Sequence, residues 1–356
     1  MGDIDNTAFK EAALIVIRRS SELSATDGVE IDIPPATSGN RPLGTHSDQG
    51  YVANPATGEP YAPNLVRRGD YARVLAEFWA DGPSSETPPG HWNVLANQVS
   101  DDPRLEKRLG GAGPLTDDLE WDVKLYVALN GGVHDAAIAA WGAKAAYDYV
   151  RPISIIRFLG GEGQSSDPSG PAYSPSGLPL EPGLVELVTA ESTAPGERHA
   201  HLAGREGEIA IFAWSARGGE SGHQPGVAWI PAVEWMPYQA STFVTPAFAA
   251  YVSGHSTFSR SAAEVLTAFT GSPYFPGGLG THHVSDDFLD FDTGPSEAIT
   301  LQWATYQDAA DEAGISRLWG GIHVPADDFA GRIMGERIGQ DSFDLATRYF
   351  DGTVND

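Results

Sequence analysis

Apolar positions recur at helical spacing in several stretches of this chain and are absent from others. Residues 8 to 24 read as one helix, and Tyr71 to Trp79 as a short one broken at Ser84 to Gly90. From Thr26 to Asn64 the chain is rich in Gly, Pro, Asn and Thr without helical period, the mark of a long ordered arm. A long helix is clearest after Asp117. With Glu120 three residues on, Asp117 resembles a capping box, and Trp121, Leu125, Leu129, Val133, Ala136, Ala140 and Trp141 follow on one side. Pro152 is expected to end this helix.

Between Gly160 and Gly226 lies a Gly/Ser/Pro-rich stretch, interrupted by Ile209 to Trp214, which reads equally as a strand or a buried helical turn. Val227 to Trp235 looks extended. Helical pattern returns after Ser253 with Phe258, Ala262, Val265, Leu266 and Phe269, and Gly271 is its stop. Two further helices are expected over 295–313 and 325–349. Residues 1–114 thus read as an arm with short helices, and 115–356 as a helical core on which that arm packs.

At 356 residues the chain can bury a sizeable core. No apolar run approaches bilayer length, so a soluble protein is expected, and the first residues lack the layout of a secretory signal. A signal removed from a longer precursor is left open. Acidic residues number 48 against 22 basic ones, which argues against nucleic acid or an anionic membrane as partner. Lysine occurs only at positions 10, 107, 124 and 144, a bias that fits a salty habitat and a high-GC genome equally. The absence of cysteine excludes disulfides, thiolate metal sites and thiol nucleophiles. An acidic chain that binds an anion must gather its positive charge locally.

Three pieces offer that charge. Lys144 and Arg151 are seven apart, about 10 Å along a helix, and would project from one face. Alone they also fit two solvated charges at a helix end. Ser253-Gly254-His255 stands where a helix begins, so unpaired backbone N–H groups, a close-approach glycine and a hydroxyl could nest an oxyanion. An ordinary serine cap fits that piece as well. In Ser316-Arg317…His323…Asp327, Pro325 is placed like a first helical residue. Asp327 in the first turn could then accept the His323 imidazole N–H and leave its other nitrogen available.

In this order, Lys-x6-Arg-Pro, Ser-Gly-His and Ser-Arg-x5-His-x3-Asp, the pieces resemble the type-2 phosphatidic acid phosphatase and vanadium haloperoxidase superfamily. One departure is Val252, where many members have proline. The resemblance implies a mainly α fold: a helical bundle of the acid phosphatase/vanadium haloperoxidase type, with long irregular loops and minor short strands. It implies vanadate as cofactor, with phosphate able to occupy the same site. His323 would be the apical vanadium ligand or the nucleophile toward phosphorus. Lys144, Arg151, Arg317, Ser253 and Gly254 would hold the equatorial oxygens, and His255 would act as acid or base. In haloperoxidase chemistry Lys144 would polarise peroxide, halide would be oxidised, and a small organic substrate would be halogenated.

The size and the arm look like the bacterial vanadium haloperoxidases, so that activity is expected ahead of a phosphatase working through a phosphohistidine. Phe248, seven before His255, is aromatic as in chloroperoxidases. His199 with His201, and His282 with His283, read as surface histidines in loops. Asp286, Asp287, Asp290 and Asp292 read as solvated charge, His134 with Asp135 as a helix pair, and Trp229 and Trp235 as core. The arm before residue 115 could pack on its own core or on a second subunit, leaving a homo-oligomer open.

Overall fold

The computed structural model describes residues 7–80, 86–215 and 226–354. Part of the expected break at Ser84 to Gly90 lies outside them, as does part of the stretch before Gly226. Eight α-helices carry the fold among the described residues: α1 (Thr7–Ser21), α2 (Arg68–Phe78), α3 (Pro88–Asp101), α4 (Asp118–Tyr147), α5 (Pro152–Glu162), α6 (Gly254–Thr270), α7 (Tyr306–Trp319) and α8 (Pro325–Phe350). The fold is mainly α, with short strands β1 (Glu30–Asp32), β2 (Leu65–Arg67), β3 (Val185–Leu187), β4 (Ile209–Trp214), β5 (Val227–Pro231), β6 (Gly280–Val284) and β7 (Ile299–Trp303). They pair as β1-β2, β3-β4-β5 and β6-β7, all antiparallel. No helix among the described residues is long and apolar enough to cross a membrane.

Two large clusters and a small third one around Val188, Leu202 and Ala210 fill the interior among the described residues. The largest joins α2, α3, α4, α6, β7 and α7 through Leu75, Trp92, Trp121, Phe269, Trp303 and Tyr306. The second joins α1, α5 and the three-stranded sheet through Ile17, Ile156, Ile211 and Trp235. Each fully buried large apolar side chain contributes about 1.5–3 kcal/mol against exposure.

α6 and α8 run side by side from a common end. Gly331, Gly335 and Gly339 recur every four residues on α8. A Cβ there would lie 2.8, 2.4 and 2.5 Å from the carbonyl oxygens of Ser253, Thr257 and Ser261. Only hydrogen at these three positions lets the backbones approach so closely. A buried ion cluster ties the same helices to α7 and the arm. Arg332 grips Asp328 at 2.6 Å and Asp311 at 3.0 Å, while Ser256 and His46 hold the Asp328 oxygens at 2.7 Å.

Several expectations are corrected. Asp117 does cap α4, accepting from Leu119 and Glu120 N–H, but α4 stops at Asp148 in left-handed conformation, φ 43° and ψ 48°. Pro152 begins α5 instead, in the first-turn position where its missing N–H costs nothing. The helix expected from residue 295 begins only at Tyr306, because 299–303 pairs with 280–284 as a strand of alternating burial. Thr305 then caps α7 in a reciprocal pair with Asp308. Two helices, α3 and α5, stand where the apolar pattern predicts none. His199 is buried against Trp229, and His282 and His283 lie on β6, not in loops. Asp292 is an ion partner of buried Arg73 at 2.5 Å, not free solvated charge. Trp235 is core, while Trp229 is partly buried.

Candidate active site

The common end of α6 and α8 gathers the three motifs. Ser253 caps α6, its Oγ accepting from Ser256 N–H at 3.3 Å, and its own N–H donates to the Asp327 carbonyl at 2.9 Å. A Cβ at position 254 would press on the Trp141 ring at 3.3 Å, so the ring would have to give by a few tenths of an ångström. His323 lies just before α8. Its Nδ1 stands 2.9 Å from Asp327 Oδ2, which also accepts from Val324 N–H at 3.3 Å. With that nitrogen donating, Nε2 carries the lone pair.

Lys144 and Arg151 do not share a helix face, contrary to the sequence expectation. Lys144 ends α4, whereas Arg151 is the extended residue before α5, φ −84° and ψ 154°. The turn at Asp148 brings them together. Arg151 Nη1 donates to His323 Nε2 at 3.1 Å and to the Ile322 carbonyl at 2.8 Å. Lys144 Nζ donates to the carbonyls of Ala249, Ala250 and Val252 at 3.1, 2.8 and 2.6 Å. Phe248 covers both cations, its ring 5.4 Å from Lys144 Nζ and 5.2 Å from the Arg151 guanidinium carbon.

Sequence reasoning missed the part played by the arm. The Ala76 carbonyl near the end of α2 accepts from Arg317 Nη1 at 3.3 Å, and the Trp79 carbonyl just beyond it bonds His255 Nε2 at 2.8 Å. The Trp79 indole N–H is anchored on Glu312 at 3.1 Å, as is the Tyr71 hydroxyl at 3.0 Å. Burial raises Glu312 to about 7 against the pull of these donors. Because the groups holding Lys144, Arg317 and His255 are main-chain carbonyls, no residue type announced them.

Electrostatically the site is a buried cationic cluster. Lys144, Arg151 and Arg317 are 3, 6 and 1% exposed, and the carboxylate among the predicted site residues is Asp327. Burial, helped by Arg151, lowers Lys144 to about 7, and burial lowers Arg151 to about 10. Asp327 is raised to about 7 by burial, opposed by the Val324 N–H, Lys144 and Arg151. His323 falls well below its ordinary value, first through burial and then through the charges of Arg151 and Lys144. His255 does the same through burial and Arg317. Both rings are therefore neutral near pH 7. Such a cluster can take an oxyanion, whose charge would offset what burial makes costly.

No group of three His, Asp or Glu side chains suited to a metal cation occurs among the described residues. His199 instead bonds Ser192, and His201 bonds the Trp229 carbonyl.

The sequence model of the VCPO second helical-bundle domain matches residues 124–178 and 202–352, more than half of the chain. A holo-type bacterial vanadium-dependent chloroperoxidase structure matches at TM-score 0.55 and 16% identity, covering 96% of this chain and 48% of that one. The apo-type bacterial enzyme matches at 0.55 and 18%, over 80% and 46%. A bacterial vanadium-dependent iodoperoxidase matches at 0.41 and 19%, over 77% and 43%. The chain spans about half the length of the structures it matches. No curated protein matches it.

Proposed function

Because the chain belongs to the VCPO second helical-bundle family, whose matched segments contain all the predicted site residues, we propose that it is a vanadium-dependent haloperoxidase. It would convert halide, hydrogen peroxide and a proton into hypohalous acid and water, the acid then halogenating small organic molecules. The observation that carries this reading is the burial of Lys144, Arg151 and Arg317 around His323 with Asp327 as their carboxylate neighbour.

That donor set fits vanadate, because a compact oxyanion matches buried guanidinium and ammonium groups and neutral imidazole is a metal ligand. Lys144, Arg151, Arg317, Ser253 and the Gly254 N–H would hold its oxygens, and His323 Nε2 its metal. Bound vanadate would act as the Lewis acid that activates peroxide for its two-electron oxidation of halide. The chain's own residues do the rest. Asp327 fixes the tautomer of His323, and Arg151 must release Nε2 to admit a ligand. Donation from His255 Nε2 to the Trp79 carbonyl leaves Nδ1 able to accept a proton. Ser253 Oγ accepts from Ser256 yet keeps a proton to donate.

The same neutral, carboxylate-oriented His323 favours a second reading, a vanadate-free acid phosphatase acting on phosphomonoesters through a phosphohistidine. Halogenation of a phenolic dye by bromide and peroxide, with and without orthovanadate, tests the choice. The proposal expects halogenation only with vanadate and weak p-nitrophenyl phosphate cleavage without it; robust cleavage with no halogenation contradicts it.

A further inference from the structure

The outer face of α4 carries a pattern of apolar residues and glycines that the chain leaves largely exposed; of its polar members, Asp135 accepts from Ser342 Oγ at 3.2 Å and lies 3.7 Å from His134. While Leu125, Leu129, Val133 and Ala136 are buried, Val127 and Ile138 on the other side are 55 and 61% exposed. Gly131 and Gly142 share that face, in the interior of a helix of 30 residues. Glycine there is less stable than alanine, and a Cβ at either position would meet nothing within 4 Å. The adjoining Gly132 differs, for its Cβ would press on Val265 at 3.0 Å. Gly131 and Gly142 are therefore hollows on an exposed surface without an intramolecular cause.

The pattern is also symmetric about the midpoint between His134 and Asp135. Counting outward, His134 answers Asp135, Gly131 answers Ile138, and Val127 answers Gly142. At about 100° per residue these six side chains fall in a sector of about 100°. Knob meets hollow, and an imidazole meets a carboxylate, when the helix meets its own copy in antiparallel orientation.

We propose that this face is the interface of a homodimer in which α4 packs on α4 across a two-fold axis at the His134–Asp135 midpoint. Ile138 of each copy enters the hollow at Gly131 of the other, and Val127 the hollow at Gly142. His134 faces Asp135 across the axis, twice. An isologous contact requires this reciprocity, in which residue i meets j and j meets i. Small residues allow the two backbones to approach, and the contact runs about 22 Å, the rise of fifteen helical residues. Each copy carries a formal charge of −26, so the seam excludes most of that charge, and association tightens as salt screens the remainder.

The test is sedimentation velocity of the full chain over a concentration series, beside the variants G131I, I138G and G131I/I138G. The wild type is expected at twice 37.8 kDa. G131I sets isoleucine against isoleucine at two symmetric points and raises the dissociation constant about a hundredfold or more. I138G empties both hollows and weakens association as well. The double variant exchanges knob and hollow and recovers the dimer. Position 131 is exposed and isoleucine is a better helix former than glycine, so G131I folds, which circular dichroism checks. A wild type that stays monomeric, a dimer indifferent to G131I, or a double variant that does not recover overturns the proposal.

Discussion

Ser253 donates its backbone N–H to the Asp327 carbonyl at 2.9 Å, so the first turn of α8 is fastened to the residue that caps α6. One bond thus joins two motifs that lie more than seventy residues apart in sequence. Its presence depends on the glycine seam further along the helices. The site's geometry is a consequence of how two helices pack.

Replacement of Gly335 by alanine tests that dependence. On an open helix it would stabilise by about 1 kcal/mol, but here the new Cβ lies 2.4 Å from the Thr257 carbonyl, which cannot turn aside. Overpacking is expected to win, with net destabilisation of about 1–3 kcal/mol and weaker oxyanion binding. Urea unfolding and phosphate titration measure the two effects; a stabilised variant would show that the seam is not tight.

Asp327→Asn keeps the shape and removes the charge that orients His323. The amide can present N–H to Nδ1 and favour the wrong tautomer. Activity is expected to fall by about 10- to 100-fold, as for other partners that orient a metal-bound histidine. Turnover and vanadate affinity, compared with unchanged circular dichroism, decide it, and full activity would remove the orienting role.

Oxyanion affinity should depend on pH with a definite sign. Lys144 titrates near 7 when its charge is unmatched, and an anion favours its protonated form. Affinity is therefore fully present below about pH 7 and falls toward tenfold per unit as pH rises above it, until the pKa of the complex is reached. Ionisation of Asp327, also near 7, acts in the same direction. Calorimetric titrations with phosphate, corrected for its own ionisation, give the slope. Lys144→Met should flatten the lysine part, and an affinity that rises with pH would contradict the assignment.

Arg332→Met leaves Asp328 and Asp311 buried without their guanidinium. Removing one partner of such a cluster costs about 3–5 kcal/mol, far more than a surface pair. A urea midpoint close to that of the wild type would mean that the cluster contributes little.

Much of this arrangement was legible. The apolar spacing after Asp117 and Ser253 marks α4, which has one buried side, and α6, which is buried almost all round but keeps its large apolar residues on one face, and Pro325 marks the start of α8. Motif spacing singles out Lys144, Arg151, Ser253, His323 and Asp327, and the fold brings these residues to the common end of α6 and α8. Their relative placement was not legible, because helical arithmetic assumes a continuous helix, and the left-handed turn at Asp148 is carried by a non-glycine residue that gives no signal. The pattern over 299–303 is short and ambiguous, and pairing with β6 makes it a strand where a helix is expected. The arm's contribution was invisible for another reason: Ala76 and Trp79 act through carbonyls that every residue possesses.

The most direct measurement is the rate of bromide oxidation by hydrogen peroxide as orthovanadate is added, for the wild type and for His323→Ala. The account predicts a saturable rise for the wild type, suppressed by competing phosphate, and no rise for the folded variant. A wild-type rate indifferent to vanadate, or a variant that responds as the wild type does, would contradict it.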